Sequence, residues 1–112
     1  MVRRGSLGRA VRRGDLWLAE VGRKKRPVLV FTRSEVLDVR TLVTVAEVTT
    51  SIRGLAAEVV VDDAELGLDQ PSAVDCDAVH TVTQASLTTR IGQLGDDTMR
   101  EVCAALGYAL GC

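Results

Sequence analysis

The stretch GDLWLAEVGRKKRPVLVF, residues 14–31, decides the fold because it joins two apolar segments through a glycine and a run of cations. Leu16 and Leu18 share one face of an extended chain, and Trp17, Ala19 and Val21 lie on the other, so this segment is predicted to be a strand buried on both faces. The second segment is β-branched and aromatic. It opens at Pro27, which cannot donate a ladder hydrogen bond and is expected at a strand's first position. Gly22 is predicted to form a turn between the two strands.

More strand segments follow at short intervals. They are bounded by turn residues and cover 41–48, 57–62, 72–82 and 90–94. The segment 72–82 is long and has a charged interior, so it predicts a bend or two separate strands. Six or seven short strands at this spacing predict a mainly β fold, a small antiparallel barrel or sandwich.

The period of the apolar residues changes near the end of the chain, where it predicts a helix that packs on the barrel. The predicted apolar stripe consists of Met99, Val102, Cys103, Leu106 and Leu110. Asp96 is the predicted N-cap and Gly111 the predicted stop.

A chain of 112 residues with 46% hydrophobic residues is sufficient for one domain with a modest core. We expect a disordered extension over 1–11, which has little to bury, and a single domain over 12–112. No apolar run approaches the roughly 20 residues of a membrane span, and the N-terminus lacks the apolar core of a secretory signal. A cytoplasmic protein without membrane association is the expectation.

The net charge of −1 conceals an uneven distribution. Residues 1–53 carry twelve Lys or Arg and five Asp or Glu, a net +7, whereas residues 54–112 carry two and ten, a net −8. Such asymmetry favours a polyanionic partner for one surface. The alternative is that strands of the two halves interleave in space and the charges mix.

Ligands for a metal are few. The three cysteines form no CxxC pair and His80 is the only histidine, which excludes an ordinary zinc site and a disulfide framework. The acidic run at 62–69 lacks the glycine and final glutamate of a calcium-binding EF-hand loop, so we expect a solvated loop there.

Five stretches together resemble, in order and spacing, the MazF/PemK/Kid family of toxin endoribonucleases. They are RRGDLWLAEV, KKRPVLVF, VTVAEVTTSIRGL, PSAVDCDAVHTV and RIGQL, the last followed by a helix. The resemblance covers residues 12–112. It implies an SH3-like antiparallel barrel with a C-terminal helix, acting as a homodimer that cleaves single-stranded RNA without metal or cofactor. It further implies attack by the RNA's own 2′-hydroxyl and neutralisation by a MazE-like antitoxin.

The resemblance also implies three catalytic residues, Arg26, Thr49 and Asp77. Pro27 biases Arg26 towards extended geometry, and a guanidinium offers phosphate oxygens a planar set of donors. The Thr49 hydroxyl can donate to a phosphate oxygen. Asp77 matches the acidic residue proposed as a base in Kid-type members.

Five further residues are expected to contact RNA: Lys24, Lys25, Thr50, Ser51 and Arg53. Glu47 and His80 have no assigned role. In a regular strand, His80 lies on the face opposite Asp77, which forbids a simple pair between them unless a bulge intervenes.

Two other functions remain open. A gyrase poison like CcdB shares this fold, but its tryptophan lies near the C-terminus, whereas the only tryptophan here is Trp17. A non-catalytic SH3-like binding module would not need Arg26 and Thr49 together.

Overall fold

The computed structural model describes residues 10–61 and 67–112. Its strands are β1 (Asp15–Val21), β2 (Lys24–Val30), β3 (Leu42–Thr49), β4 (Glu58–Val61), β5 (Ser72–Thr83) and β6 (Leu87–Gln93). A one-turn helix, α1 (Ser34–Leu37), precedes β3, and the long helix α2 (Asp96–Leu110) follows β6. Among these described residues, no helix combines the length and the apolar character needed to span a bilayer.

The six strands form one antiparallel sheet in the order β4-β5-β3-β2-β1-β6, which curls into a half-barrel. The predicted mainly β class with a C-terminal helix is confirmed. Neighbouring strands β1 and β2 are joined through Gly22, whose φ of +66° is a left-handed conformation that glycine adopts without steric cost.

The sheet is buried on both faces, as the first strand predicted. Leu16 and Leu29 lie in the core that faces α2, whereas Trp17 and Val28 lie in a second core on the other face. The second core also contains Leu87 and the residues Val11, Ala19, Val30, Leu37, Val43 and Val45. β1 therefore supplies apolar side chains to both cores.

A buried carboxylate lies at the start of β1. Asp15 is 1% exposed. Its Oδ2 accepts the backbone N–H of Arg12 at 2.9 Å and the Trp17 indole N–H at 3.2 Å. Its Oδ1 lies 3.4 Å from a guanidinium nitrogen of Arg90 on β6. The carboxylate thus connects the chain before β1, the second core and the neighbouring strand, a role that the sequence patterns did not predict.

β2 begins three residues earlier than expected. Lys24, Lys25 and Arg26 belong to the strand, and Pro27 is its fourth residue, opposite Leu18 of β1. The pairing of β2 with β3 begins only at the residue after Pro27. Proline is tolerated here because one side of the strand lacks a partner at this position.

Helix α2 has the predicted extent but a rotated apolar face. Its N-cap is Gly95 rather than Asp96, while Gly111 ends it in a left-handed conformation as predicted. Val102 and Ala105 are its buried residues, whereas Cys103 and Leu110 are exposed. Met99, Leu106 and Ala109 pack against the core as well. Ala105 and Ala109, rather than Cys103 and Leu110, therefore complete the face that contacts the core.

β5 is one continuous strand rather than two, with an interrupted register of the kind that bends a strand. Ala46 of β3 pairs with Val79, but the next residue, Glu47, pairs with Asp75. Residues 76–78 therefore have no direct partner on β3, and the strand deviates there from regular alternation.

The N-terminal end of the described chain packs on the sheet. Val11, the last residue of the predicted extension, is buried in the second core. Residues 1–9 of that predicted extension, and residues 62–66 of the predicted acidic loop, lie outside the described residues.

Cys76 is expected to react with a thiol reagent only after unfolding. Burial, together with the negative charges of Asp75 and Asp77, raises the pKa of its thiol to about 11, and the thiolate is the reactive form. Cys103 and Cys112 are exposed and should be alkylated in the folded protein. Mass spectrometry after iodoacetamide treatment, with and without denaturant, measures this difference. Rapid alkylation of Cys76 in the folded protein would contradict the packing described.

Candidate active site

Arg26 is oriented by the strand pairing and by the proline that follows it. It lies opposite Ala19 of β1, and Pro27 disfavours helical backbone at Arg26. Its side chain is about half exposed, and its Nη1 lies 3.8 Å from Oε1 of Glu47 on β3. The guanidinium is therefore accessible from solvent and held near a carboxylate.

Thr49 is the last residue of β3. Val28 pairs with Glu47 across β2 and β3, and Arg26 and Thr49 each lie two residues beyond this pair, outside the paired part of the two strands. Residues two apart in a strand share a face, so Arg26 lies on the face of Val28 and Thr49 on the face of Glu47. The Thr49 Oγ1 accepts the backbone N–H of Ser51 at 3.0 Å, which leaves the hydroxyl hydrogen to donate elsewhere. Arg26 and Thr49 thus share one face and one end of the sheet.

The two lysines are exposed in the hairpin that precedes Arg26. Lys24 lies opposite Val21 and Lys25 opposite Glu20. Because successive side chains of a strand alternate, Lys24 lies on the face of Arg26 and Lys25 on the other. Lys24 therefore extends the positively charged surface around Arg26.

Thr50 and Ser51 are exposed after the end of β3. Thr50 lines a cleft of about 280 Å³ together with Leu18 and Pro27. Leu18 and Pro27 form the pair next to Ala19 and Arg26, so their side chains face the other side of the sheet. The remaining lining residues are Gly67, Leu68, Asp69, Gln70, Ser72 and Ile91. Thr50 therefore faces a different surface from Thr49.

Arg53 is engaged by two carboxylates. Its guanidinium lies 3.1 Å from Glu58 and 3.3 Å from Asp75. Desolvation opposes the charged form of Glu58, but hydrogen bonds from the backbone of Arg53 and Leu55 and from the Arg53 side chain outweigh it and lower its pKa. This arrangement ties the loop after β3 to β4 and β5, and any RNA contact by Arg53 would compete with both carboxylates.

Asp77 lies in the interrupted part of β5 and is exposed. Its backbone N–H donates to Oδ1 of Asp75 at 3.0 Å. Within the described residues, no hydrogen bond or ion pair joins its carboxylate to Arg26 or Thr49. The structure therefore does not bring the third predicted catalytic residue into direct contact with the other two.

Glu47 and His80 form a pair that the sequence patterns did not predict. His80 Nε2 lies 2.5 Å from Glu47 Oε2, and both side chains are partly buried. His80 lies opposite Val45, two residues from Glu47 along β3, so the two side chains are diagonal neighbours on one face. The sequence did contain a signal for this pair. Val43, Val45 and Glu47 lie on the same face of β3, and the first two are buried, so a carboxylate at the third position indicates a polar partner.

The described residues contain no group of three or more His, Cys, Asp or Glu that could hold a metal ion. The polar groups assembled on the face of Arg26 are instead a guanidinium, a hydroxyl, a carboxylate and an imidazole. These groups can bind an anion, donate hydrogen bonds to it and exchange protons.

Known proteins resemble this chain over most of its length. It is 42% identical over 103 residues to the probable endoribonuclease MazF5 of Mycobacterium tuberculosis, covering 89% of this chain and 93% of the relative. Its structure matches the M. tuberculosis toxin MazF-mt6 with a TM-score of 0.82 and 42% identity, covering 87% and 96% of the two chains. It also matches a MazE–MazF structure from Deinococcus radiodurans with a TM-score of 0.76 and 28% identity, covering 91% of this chain and 96% of the other.

A family model described as "PemK-like, MazF-like toxin of type II toxin-antitoxin system" matches residues 12–110. The match spans all six strands and α2. The resemblance seen in the sequence and the predicted barrel with its C-terminal helix are confirmed. The chain therefore belongs to the family of PemK-like and MazF-like toxins of type II toxin–antitoxin systems.

Proposed function

We propose that this protein is an endoribonuclease toxin that cleaves single-stranded RNA. The observation that supports the proposal most is the position of Arg26 and Thr49, which lie on one face at one end of two adjacent strands, in a chain whose relatives are named endoribonucleases. A half-exposed guanidinium and a strand-end hydroxyl suit a phosphate group, the repeating unit of an RNA backbone.

In the proposed reaction, the 2′-hydroxyl of the RNA attacks the adjacent phosphorus. The P–O5′ bond breaks, leaving a 2′,3′-cyclic phosphate and a 5′-hydroxyl end. Arg26 stabilises the charge that develops on the non-bridging phosphate oxygens, and Thr49 donates a hydrogen bond to one of them. Strand pairing holds both groups before substrate arrives, so little reorganisation is needed.

The remaining predicted site residues differ in how their positions relate to Arg26 and Thr49. Lys24 shares the face of Arg26 and is proposed to contact a flanking phosphate. Thr50 and Ser51 follow β3 at the same end of the sheet and remain proposed RNA contacts, as do Lys25 and Arg53. Asp77 remains a proposed catalytic residue.

The partners proposed are RNA, a second copy of this chain and a MazE-like antitoxin. The D. radiodurans relative is described as a MazE–MazF structure. The exposed cations Lys24 and Arg26 share a face that suits an acidic antitoxin segment as well as RNA. We also propose a cytoplasmic location, where an RNA substrate and an antitoxin would both be available.

The ends of the RNA fragments test this reaction. Purified protein should produce fragments with 5′-hydroxyl and 2′,3′-cyclic phosphate ends, and it should do so in excess EDTA. Once the cleaved site is mapped, a substrate with a single 2′-deoxy nucleotide there should resist cleavage because it lacks the nucleophile, while an otherwise identical RNA is cut. Fragments with 5′-phosphate ends, or cleavage of the 2′-deoxy substrate, would refute the proposed chemistry.

A further inference from the structure

The proposed reaction requires a group that accepts the proton of the 2′-hydroxyl. A guanidinium has donors but no acceptor, and a threonine hydroxyl is a weak base, so neither Arg26 nor Thr49 suits that role. Asp77 is exposed, and no hydrogen bond or ion pair joins it to either of them among the described residues. The base must therefore be sought among other groups on the same face.

Glu47 connects the phosphate-binding residue to the only histidine. Its Oε1 lies 3.8 Å from Arg26 Nη1, and its Oε2 lies 2.5 Å from His80 Nε2. The Glu47 side chain is 24% exposed, so part of this network is shielded from water, whereas the His80 side chain is 37% exposed. A carboxylate bonded to one ring nitrogen fixes the tautomer and leaves the other nitrogen as the acceptor.

We propose that His80 is the catalytic base of RNA cleavage and that Glu47 is a positioning residue that orients both the His80 ring and the Arg26 guanidinium. The inference rests on the proposed cleavage by the 2′-hydroxyl. It differs from the sequence-based assignment of the base to Asp77.

The proton balance of this step is as follows. Neutral His80 donates its Nε2–H to Glu47 and holds a lone pair on Nδ1. As the O2′–P bond forms and the P–O5′ bond breaks, Nδ1 takes the 2′-hydroxyl proton. The leaving O5′ takes a proton from water, and the hydroxide so formed removes the proton from the imidazolium, which restores the resting state.

The charged groups around His80 come from three strands. Glu47 of β3 faces Arg26 of β2, and Asp75 of β5, which lies opposite Glu47, is paired with Arg53. Each carboxylate thus has a guanidinium partner. The irregular register at 76–78 brings His80 onto this face, because regular alternation from Asp75 would place His80 on the opposite one.

Variants at the two positions test the proposal under single-turnover conditions with a short RNA that contains the mapped site. His80→Ala should slow cleavage by about 10²- to 10⁴-fold, the range for loss of a general base. The wild-type rate should rise with pH as imidazole loses its proton, and this acidic limb should disappear in His80→Ala. Thr81→Ala, an exposed neighbour on β5 that points to the other face, is the matched control and should keep rate and profile.

Glu47→Gln separates positioning from a merely structural role. The amide can accept a hydrogen bond through one oxygen only, whereas the carboxylate faces both His80 and Arg26. Glu47→Gln should therefore slow single-turnover cleavage, and by a smaller factor in the His80→Ala background than in the wild type, because part of its effect acts through the imidazole. Equal losses in the two backgrounds would overturn the positioning role.

Added imidazole provides the decisive measurement. It should restore cleavage by His80→Ala, with rescue that increases with the basicity of substituted imidazoles, and it should not affect Thr81→Ala. If His80→Ala retains the wild-type rate and limb, or if Asp77→Asn removes the limb while His80→Ala keeps it, the inference is refuted. Wild-type product ends and the 2′-deoxy substrate report on the proposed function separately, so either idea can fail alone.

Discussion

Replacing Arg26 by alanine is expected to slow RNA cleavage by about 10²- to 10³-fold, the loss typical for removal of one preorganised transition-state donor. The Arg26 backbone is fixed by pairing with Ala19 and by the following proline, and its guanidinium lies 3.8 Å from the Glu47 carboxylate. It is half exposed, so its removal leaves no cavity in either core. The variant should therefore retain the wild-type circular dichroism spectrum and melting temperature while losing activity.

The matched control is Arg12→Ala. Arg12 also has a guanidinium nitrogen 3.8 Å from a carboxylate, that of Asp38, and is similarly exposed, but it lies before β1. Its loss should leave the single-turnover cleavage rate unchanged. Arg26→Lys keeps the charge without the planar donors and should recover only part of the rate. Wild-type cleavage by Arg26→Ala would remove the central residue from the proposed mechanism.

The largest loss of stability is expected from Asp15→Ala. This carboxylate is almost fully buried and accepts hydrogen bonds from the Arg12 backbone, the Trp17 indole and the Arg90 guanidinium. Removing the carboxylate takes away the acceptor of the Arg12 backbone N–H and of this Trp17 indole hydrogen bond, at about 1–3 kcal/mol for each buried donor, whereas the Arg90 side chain is 49% exposed and can be solvated. That amount is a large fraction of the 5–15 kcal/mol typical of whole domains, so the variant should unfold at much lower urea concentration.

Asp38→Ala provides the comparison, since it is the same substitution in an exposed ion pair. Such pairs contribute about 0–1 kcal/mol. Asp15→Asn keeps one oxygen acceptor and should lose less stability than Asp15→Ala, because the charge partner of Arg90 is lost but a hydrogen bond can remain. Urea unfolding followed by tryptophan fluorescence measures all three variants. Equal midpoints for Asp15→Ala and Asp38→Ala would show that the Asp15 network does not stabilise the fold.

Both readings of the uneven charge distribution describe part of the structure. Arg53 from the basic half pairs with Glu58 and Asp75 from the acidic half, and Arg90 from the acidic half pairs with Asp15. The strands do interleave. The cations at 24–26 nevertheless stay exposed at one end of the sheet, where they suit a polyanion.

The local sequence determined most of the secondary structure. Alternation of apolar residues predicted β1 as a strand buried on both faces, and the change of period predicted α2, because both signals come from residues within a few positions of each other. The ordered set of short stretches also identified the family. It also implied Arg26 and Thr49 as site residues, and alternation along β2 and β3 from the pair of Val28 and Glu47 puts both on one face of the sheet.

Only the tertiary structure decided which residues meet across the sheet. The Glu47–His80 pair depends on an interrupted register between two strands whose residues are far apart in the chain, and periodicity within either strand cannot show it. The buried network of Asp15 and the rotated face of α2 likewise depend on long-range packing. Local patterns fix the direction in which a side chain leaves the backbone, whereas its partner is fixed by how distant segments pair and pack.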